Sequence, residues 1–207
     1  MKVVIISDTH GRHEELGILR GDVLIHCGDV CLGFESFESE LDAIDQWFSK
    51  QQFSAILCIG GNHDRPMQQR AAQKQPVFKN AIYLQDEALE YGGFKFYGTP
   101  WVPDLYGWAY YQEEEILAKK WEQIPSDTDI LITHTPPHQI LDRSRYSARH
   151  LGCFHLGERV EAVQPRVHCF GHIHASYGQK ERNGTTFINA SIVSSGSMNL
   201  PITVDLE

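Results

Sequence analysis

The chain has no run approaching the roughly 18 consecutive apolar residues of a membrane span, no Cys-x-x-Cys pair among its five cysteines, and no cluster of Lys and Arg of the kind that tight nucleic-acid binding needs. The first absence argues against a membrane partner. The second removes the usual structural zinc site, and the odd set Cys27, Cys31, Cys58, Cys153 and Cys169 gives no disulfide framework. Such cysteines fit small core residues in a reducing compartment, so a cytoplasmic location is expected. The sign of the charge reinforces the third absence: 27 acidic against 18 basic residues leave a formal charge of -9, which argues against a long nucleic acid as partner. The N-terminus passes straight into Val3-Val4-Ile5-Ile6, without a longer apolar stretch or a small-residue cleavage site, so no secretory signal is expected.

At 207 residues the chain can bury a large core around a sheet, and it is read as one domain, residues 1–207. Residues 2–6, 22–26, 53–59, 129–133 and 166–170 are short runs rich in Val and Ile that predict strands buried on both faces. Between the first three lie segments of helical spacing, clearest over 37–50, where Phe37, Leu41, Ile44 and Phe48 recur at three and four residues. Such alternation implies parallel strands whose C-terminal ends share one rim. Residues 81–98, with Asp86-Glu87 and the turn Gly92-Gly93, and residues 176–204, with Asn183-Gly184, predict short strands of a second, more antiparallel sheet. The expected fold is α/β, a four-layer α-β-β-α sandwich with two mixed sheets. Two loops stand out: 99–111, dense in Trp and Tyr, and 135–152, which opens with Pro136-Pro137.

Five short motifs follow predicted strands directly: Asp8-Thr9-His10, Gly28-Asp29, Gly61-Asn62-His63-Asp64, Thr133-His134-Thr135 and Gly171-His172-Ile173-His174. They bring carboxylate, imidazole and amide ligands to one edge of a sheet, a set suited to hard or borderline metals rather than to a thiolate site. Asp8 and His10 are two residues apart, so on an extended segment they point to the same side and can share a metal. Gly28 lets the backbone turn and leaves the Asp29 carboxylate projecting, and a carboxylate can bridge two cations where an imidazole cannot. Asn62 and His63 are adjacent and diverge, so Asn62 can supply a neutral oxygen ligand while His63 faces the substrate as an acid, with Asp64 available to orient it. The candidate ligands are thus Asp8, His10, Asp29, Asn62, His134, His172 and His174. Two divalent cations against two ionised carboxylates leave net positive charge, which attracts an anionic phosphorus ester; paired metals about 3.5–4 Å apart generate hydroxide near neutral pH and clamp the oxygens of an in-line displacement.

The ordered set Asp-x-His, Gly-Asp, Gly-Asn-His-Asp, a later His and Gly-His-x-His resembles the calcineurin-like metallophosphoesterases. That resemblance implies that Asp8, His10 and His174 hold one metal, that Asn62, His134 and His172 hold the other, that Asp29 bridges them, and that His63 protonates the leaving group. The implied cofactors are two divalent ions, Mn foremost, with Fe, Zn, Co, Ni or Mg as alternatives. Thr133-His134-Thr135-Pro136-Pro137, Leu141-Asp142-Arg143 and Phe170 through Gly178 are more closely similar to the small MPPED-type phosphodiesterases. Phosphoprotein phosphatases carry Gly-Asp-x-x-Asp-Arg-Gly, with an Arg that grips a monoester, whereas this chain has Gly28-Asp29-Val30-Cys31-Leu32-Gly33. A less charged small phosphodiester such as a cyclic nucleotide is therefore the expected substrate, with a nuclease, a phosphomonoesterase and a catalytically silent interaction module as alternatives.

The remaining histidines, His13, His26, His138, His150, His155 and His168, are expected to be ordinary core or surface residues, although His138 and His150 follow His134 closely enough to line a pocket. Arg143 and Arg145 are candidate phosphate contacts. The Trp101–Tyr111 loop either stacks a base or packs on the second sheet, and packing is the simpler account.

Overall fold

Val and Ile restrict their χ1 angles in a helix but pack well on a pleated surface, so the five apolar runs are the first determinant of the architecture. In the computed structural model, which describes residues 1–33, 37–147, 149–194 and 197–207, each run becomes a strand. Ala148 of the loop 135–152, and Ser195 and Gly196 of the C-terminal portion, lie outside the described residues. The first part of the chain runs β1 (Lys2–Ile6), β2 (Val23–His26), α1 (Glu38–Phe48), β3 (Ala55–Cys58), α2 (Arg65–Ala72), β4 (Ile82–Tyr83), β5 (Glu87–Tyr91) and β6 (Phe94–Thr99). It continues with α3 (Glu114–Glu122), β7 (Ile130–Thr133), α4 (Phe154–Val163), β8 (Val167–Phe170), β9 (Gly178–Arg182), β10 (Thr185–Asn189), β11 (Val193–Ser194), β12 (Ser197–Met198) and β13 (Ile202–Asp205).

Strand alternation builds the layers. In β1, Val3 and Ile5 join a core between the two large sheets, whereas Val4 and Ile6 join a second core under α1 and α2. β2 and β3 repeat this with Val23, Ile25 and Leu57 on one face and Leu24, Ile56 and Cys58 on the other. In the second sheet Ile130, Ile132, Val167, Cys169 and Ile188 face the middle core, while Leu131, Phe170 and Phe187 pack under α3 and α4 with Leu117, Trp121, Leu156 and Val160. Three cores between four layers make the α-β-β-α sandwich. On α1 the buried stripe is Leu41, Ile44, Trp47 and Phe48; Phe37, predicted to belong to it, precedes the helix and is exposed.

The first sheet has the order β13-β1-β2-β3-β4, parallel except for β13 against β1. The second has the order β5-β6-β7-β8-β10-β9. Here the expectation of a more antiparallel sheet is corrected: the central pairs β6–β7, β7–β8 and β8–β10 are parallel, and only β5–β6 and β9–β10 are antiparallel. Crossovers through α3 and α4 return the chain over the sheet and force parallel pairing, while the tight turns at Gly92-Gly93 and Asn183-Gly184 reverse it locally. The β1–β2 connection also departs from the helical expectation. It holds only a 3-10 turn at His13–Leu16, ended by Gly17 at φ 65°. Among the described residues no helix is long and apolar enough to cross a membrane.

Two histidines are locked into the strands. His26 accepts from the Gly28 N–H at Nδ1 (3.3 Å), so its Nε2–H faces Thr9 Oγ1 at 3.0 Å. His168 donates from Nε2 to Thr133 Oγ1 (2.9 Å), which passes its own proton to the Thr135 carbonyl (2.7 Å). Burial lowers the His168 pKa from 6.5 to about 3. The unfolded chain therefore takes up this proton first as the pH falls, so stability is complete above pH 6.5 and declines as the pH drops toward 3. Urea denaturation should show that His168→Phe loses about 2–3 kcal/mol less than wild type between pH 7 and pH 4.5. An unchanged pH slope in the variant would show that His168 takes no part in acid destabilisation.

Candidate metal centre

Each of the five motifs leaves the C-terminal end of a parallel strand, β1, β2, β3, β7 or β8, so all reach the same rim. The sharp turns there are made by residues that rarely make them. Asp8 (φ 53°), His10 (43°), Asp29 (56°) and His172 (68°) all adopt left-handed backbone conformations. Such conformations cost of order 1–3 kcal/mol each in a side-chain-bearing residue and gather at functional sites.

Backbone acceptors fix the tautomers. His10 Nδ1 faces the Cys31 carbonyl at 3.0 Å and His134 Nδ1 faces the Cys27 carbonyl at 2.8 Å, so both nitrogens carry protons. Nε2 of each ring is therefore the nitrogen turned inward. There His134 Nε2 meets Asn62 Oδ1 at 3.1 Å and Asp29 Oδ2 at 3.4 Å, while His10 Nε2 meets His174 Nε2 at 3.3 Å and Asp29 Oδ2 at 3.8 Å. Each inward Nε2 thus has an acceptor oxygen or a second ring nitrogen opposite it, so a cation, a proton or a metal ion, is needed between them. The donor set fits divalent metal: Asp8, His10 and His174 form one group with ligand atoms within 4.8 Å of one another, Asp29, His134 and His172 a second, and His10, Asp29 and His63 a third. Asn62 Oδ1 adjoins the second group through His134. All seven candidate ligands are thus brought together, and Asp29 stands between the two halves.

Asp29 Oδ1 accepts the His63 backbone N–H (2.8 Å), leaving Oδ2 for the centre. His63 Nε2 lies 3.9 Å from that Oδ2, and its ring sits 4.7 Å from His10 and 4.8 Å from Trp108 between centroids. Asp64, expected to orient His63, has both oxygens engaged elsewhere: Oδ2 accepts the N–H groups of Asp29 and Gly61 (2.8 Å each) and Oδ1 that of Cys31 (2.9 Å). Its geometry clips the Asp29 turn to the Asn62 turn.

Asp8 is held on all sides. The His172 N–H reaches both its oxygens (3.1 and 3.0 Å), His174 Nε2 lies 3.1 Å from Oδ1, and Ser191 Oγ lies 2.9 Å from Oδ2. Ser191 Oγ is also 2.8 Å from Asn189 Oδ1, whose amide nitrogen donates to the Leu141 and Ile173 carbonyls. Sequence reasoning passed over Ser191 and Asn189, because nothing about a Ser two residues after an Asn signals proximity to Asp8 far upstream. Gly61 and Gly171 are required by close approach: a Cβ on Gly61 would collide with Asp29 and His134, and one on Gly171 with Asp8 and Ser7.

Charge follows burial. Desolvation opposes ionisation of Asp8, yet the His174 hydrogen bond and the nearby imidazoles hold its pKa well below the usual carboxylate value. Desolvation likewise disfavours a proton on His134, but the Asp29 carboxylate outweighs it and raises the pKa to about 9. A proton there plays the electrostatic part that a cation would play. For His172, burial and the neighbouring His134 lower the pKa to about 4, which leaves a neutral ring.

The aromatic loop divides. Trp101 and Tyr110 are buried with α3 and α4, Tyr110 sharing a hydrogen bond with the Tyr83 hydroxyl (2.7 Å), whereas Trp108 borders His63. His138 and His150 gather around buried Asp142 rather than at the metal ligands, with His150 Nδ1 2.6 Å from its Oδ1.

A family model described as calcineurin-like phosphoesterase matches residues 1–176. Metallophosphoesterase domain-containing protein 1 of Homo sapiens and its counterpart in Mus musculus are each 36% identical over 99% of this chain and 71% of their own length. One solved crystal structure superposes with a TM-score of 0.66 at 15% identity, covering 91% of this chain and 89% of the other, a likeness of fold. Since the family model spans the strands that carry the centre and these relatives match 99% of this chain, the chain belongs to the calcineurin-like phosphoesterases, a family of metal-binding hydrolases of phosphoesters.

Proposed function

We propose that this protein is a dinuclear phosphodiesterase of small diesters such as cyclic nucleotides, with His63 as general acid. The observation that carries the reading is Asp29 Oδ2, which imidazoles from both halves of the site approach at once, His134 at 3.4 Å and His10 at 3.8 Å. Asp8, His10 and His174 would hold one ion and Asn62, His134 and His172 the other, with Asp29 shared. Two divalent ions bound there, with Mn the one we expect foremost, would supply hydroxide near neutral pH and polarise the phosphoryl oxygens. The residues of the chain do the rest. Asp8 and Asp29 would offset only part of the positive charge of the two ions, and the surplus would draw in an anionic ester. His63, with Nε2 3.9 Å from Asp29 Oδ2, would give its proton to the departing oxygen, and its backbone N–H keeps Asp29 in place.

Diester preference is supported by the segment after Asp29. Val30 and Cys31 turn into the core and Leu32 is exposed, so the described residues of this segment offer no cation to grip a dianionic monoester. All five cysteines are free and buried, in keeping with a reducing, cytoplasmic setting.

Metal analysis of protein loaded with Mn should find about two ions per chain, and Asp29→Asn should remove most activity because the shared ligand serves both ions. One ion or none in a folded, fully loaded sample would rule out the dinuclear centre. Diesters should be hydrolysed with higher kcat/KM than the corresponding monoesters; preference for aryl monophosphates or phosphopeptides would point to a phosphatase instead. For a poor leaving group, His63→Ala should lose on the order of 10²- to 10⁴-fold in kcat while keeping fold and metals. With nitrophenolate as leaving group the loss should be smaller, since less protonation is needed. Equal losses for both substrates, or loss of bound metal, would contradict the acid role.

A further inference from the structure

The ring of His10 lies between His63 and His174, 4.7 Å from one and 5.1 Å from the other, so the centre has a His63 side and a His174 side. On the His174 side a recess of about 580 Å³ opens, lined by His172 and His174 and, further out, by Arg143, Arg145, Tyr146 and Ser176. That volume falls in the range of about 300–1,000 Å³ typical of small-molecule sites and exceeds what one phosphate fills. No carboxylate is among its described lining residues, in a chain whose formal charge is -9. Arg143 and Arg145 are thus two cations with no acidic residue beside them among the described lining residues.

The loop that carries them is anchored. Buried Asp142 accepts the N–H groups of Gln139 (2.9 Å) and Gly152 (3.0 Å) and the His150 ring, pinning both ends of the segment. The Arg143 backbone exchanges two hydrogen bonds with the Ser176 hydroxyl, its N–H at 2.9 Å and its carbonyl at 3.0 Å. Ser176 lies two residues after His174, so the arginine loop is tied to the turn that presents that imidazole. A backbone fixed in this way keeps both arginines at the edge of the recess, so that only their side chains need to order when a ligand arrives.

We propose that this recess is a subsite for a second anionic group of the substrate, a phosphate on the part of the molecule away from the leaving group, with Arg143 and Arg145 as its cations. The proposal rests on the phosphodiesterase reading above and narrows it: the favoured diesters carry a further phosphate, as in a nucleotide with phosphates at two positions. Guanidinium groups match phosphate oxygens in a planar, bidentate fashion, which suits a terminal phosphate better than the singly charged diester itself.

Isothermal titration at fixed ionic strength, with Mn present, would compare adenosine 5′-monophosphate with adenosine 3′,5′-bisphosphate. Wild type should bind the bisphosphate at least about tenfold more tightly, by the strength of charge-assisted phosphate contacts. The exposed double substitution Arg143→Ala with Arg145→Ala should bring that ratio close to one. Arg182→Ala, which removes a remote cation paired with Glu161, should leave the ratio unchanged. Equal affinities in wild type, a preference that survives in the double variant, or the same loss in Arg182→Ala would each overturn the subsite. Both probes resemble products, so the ratio is read without turnover. A preserved ratio in a protein that hydrolyses no diester would count against the proposed activity and still support the subsite.

Discussion

Two carboxylates, Asp8 and Asp29, lie in the interior with no more than 1% of their surface exposed, and most of the local structure responds to the cost of keeping them there. An ionised carboxylate taken out of water is expensive unless it is paired and hydrogen-bonded. Here the hydrogen bonds come from the backbone of His63 and His172 and from Ser191, and the positive charge must come from the cluster of imidazoles or from what they bind. With Nδ1 of His10 and His134 facing the Cys31 and Cys27 carbonyls, the inward Nε2 atoms share the space around Asp29 Oδ2 with whatever cation balances it. Divalent cations held there would offset the charge of both carboxylates.

That demand reaches into the fold. Parallel pairing of β1, β2 and β3 in one sheet and of β7 and β8 in the other places five chain segments at one rim, where left-handed turns aim the side chains inward. The strain of those turns is balanced by the three apolar cores, whose alternating Val, Ile and Leu fix strand register so that a slip by one residue would turn core side chains onto the wrong face. Gly61 and Gly171 give the second constraint: the ligand turns approach each other so closely that only a residue without a side chain fits between them.

Around this rigid centre the surroundings differ by side. Near His63 the wall is aromatic, with Trp108 against its ring; near His174 the recess is lined by Arg143 and Arg145. If the proposed roles hold, the leaving group would depart beside an apolar face and the rest of the substrate would meet a charged one.

The five buried strands, a helix within 37–50, the sandwich class and the motifs that meet at the candidate metal centre were legible in the sequence, because they are written in local period and in short motifs placed directly after apolar runs. The pairing of the second sheet was not, since a hairpin turn is visible locally whereas a parallel neighbour arrives through a long crossover. The same holds for Asp64, whose place in the motif suggested a partner for His63 but whose oxygens are taken by three backbone N–H groups that folding brings to it. Ser191 and Asn189 reach Asp8 across a separation of more than 180 residues, and Trp108 reaches His63 from a loop that otherwise packs into the core. Such contacts carry no sequence signal because they depend on how layers stack, and stacking is set by the sum of many apolar contacts rather than by any one residue.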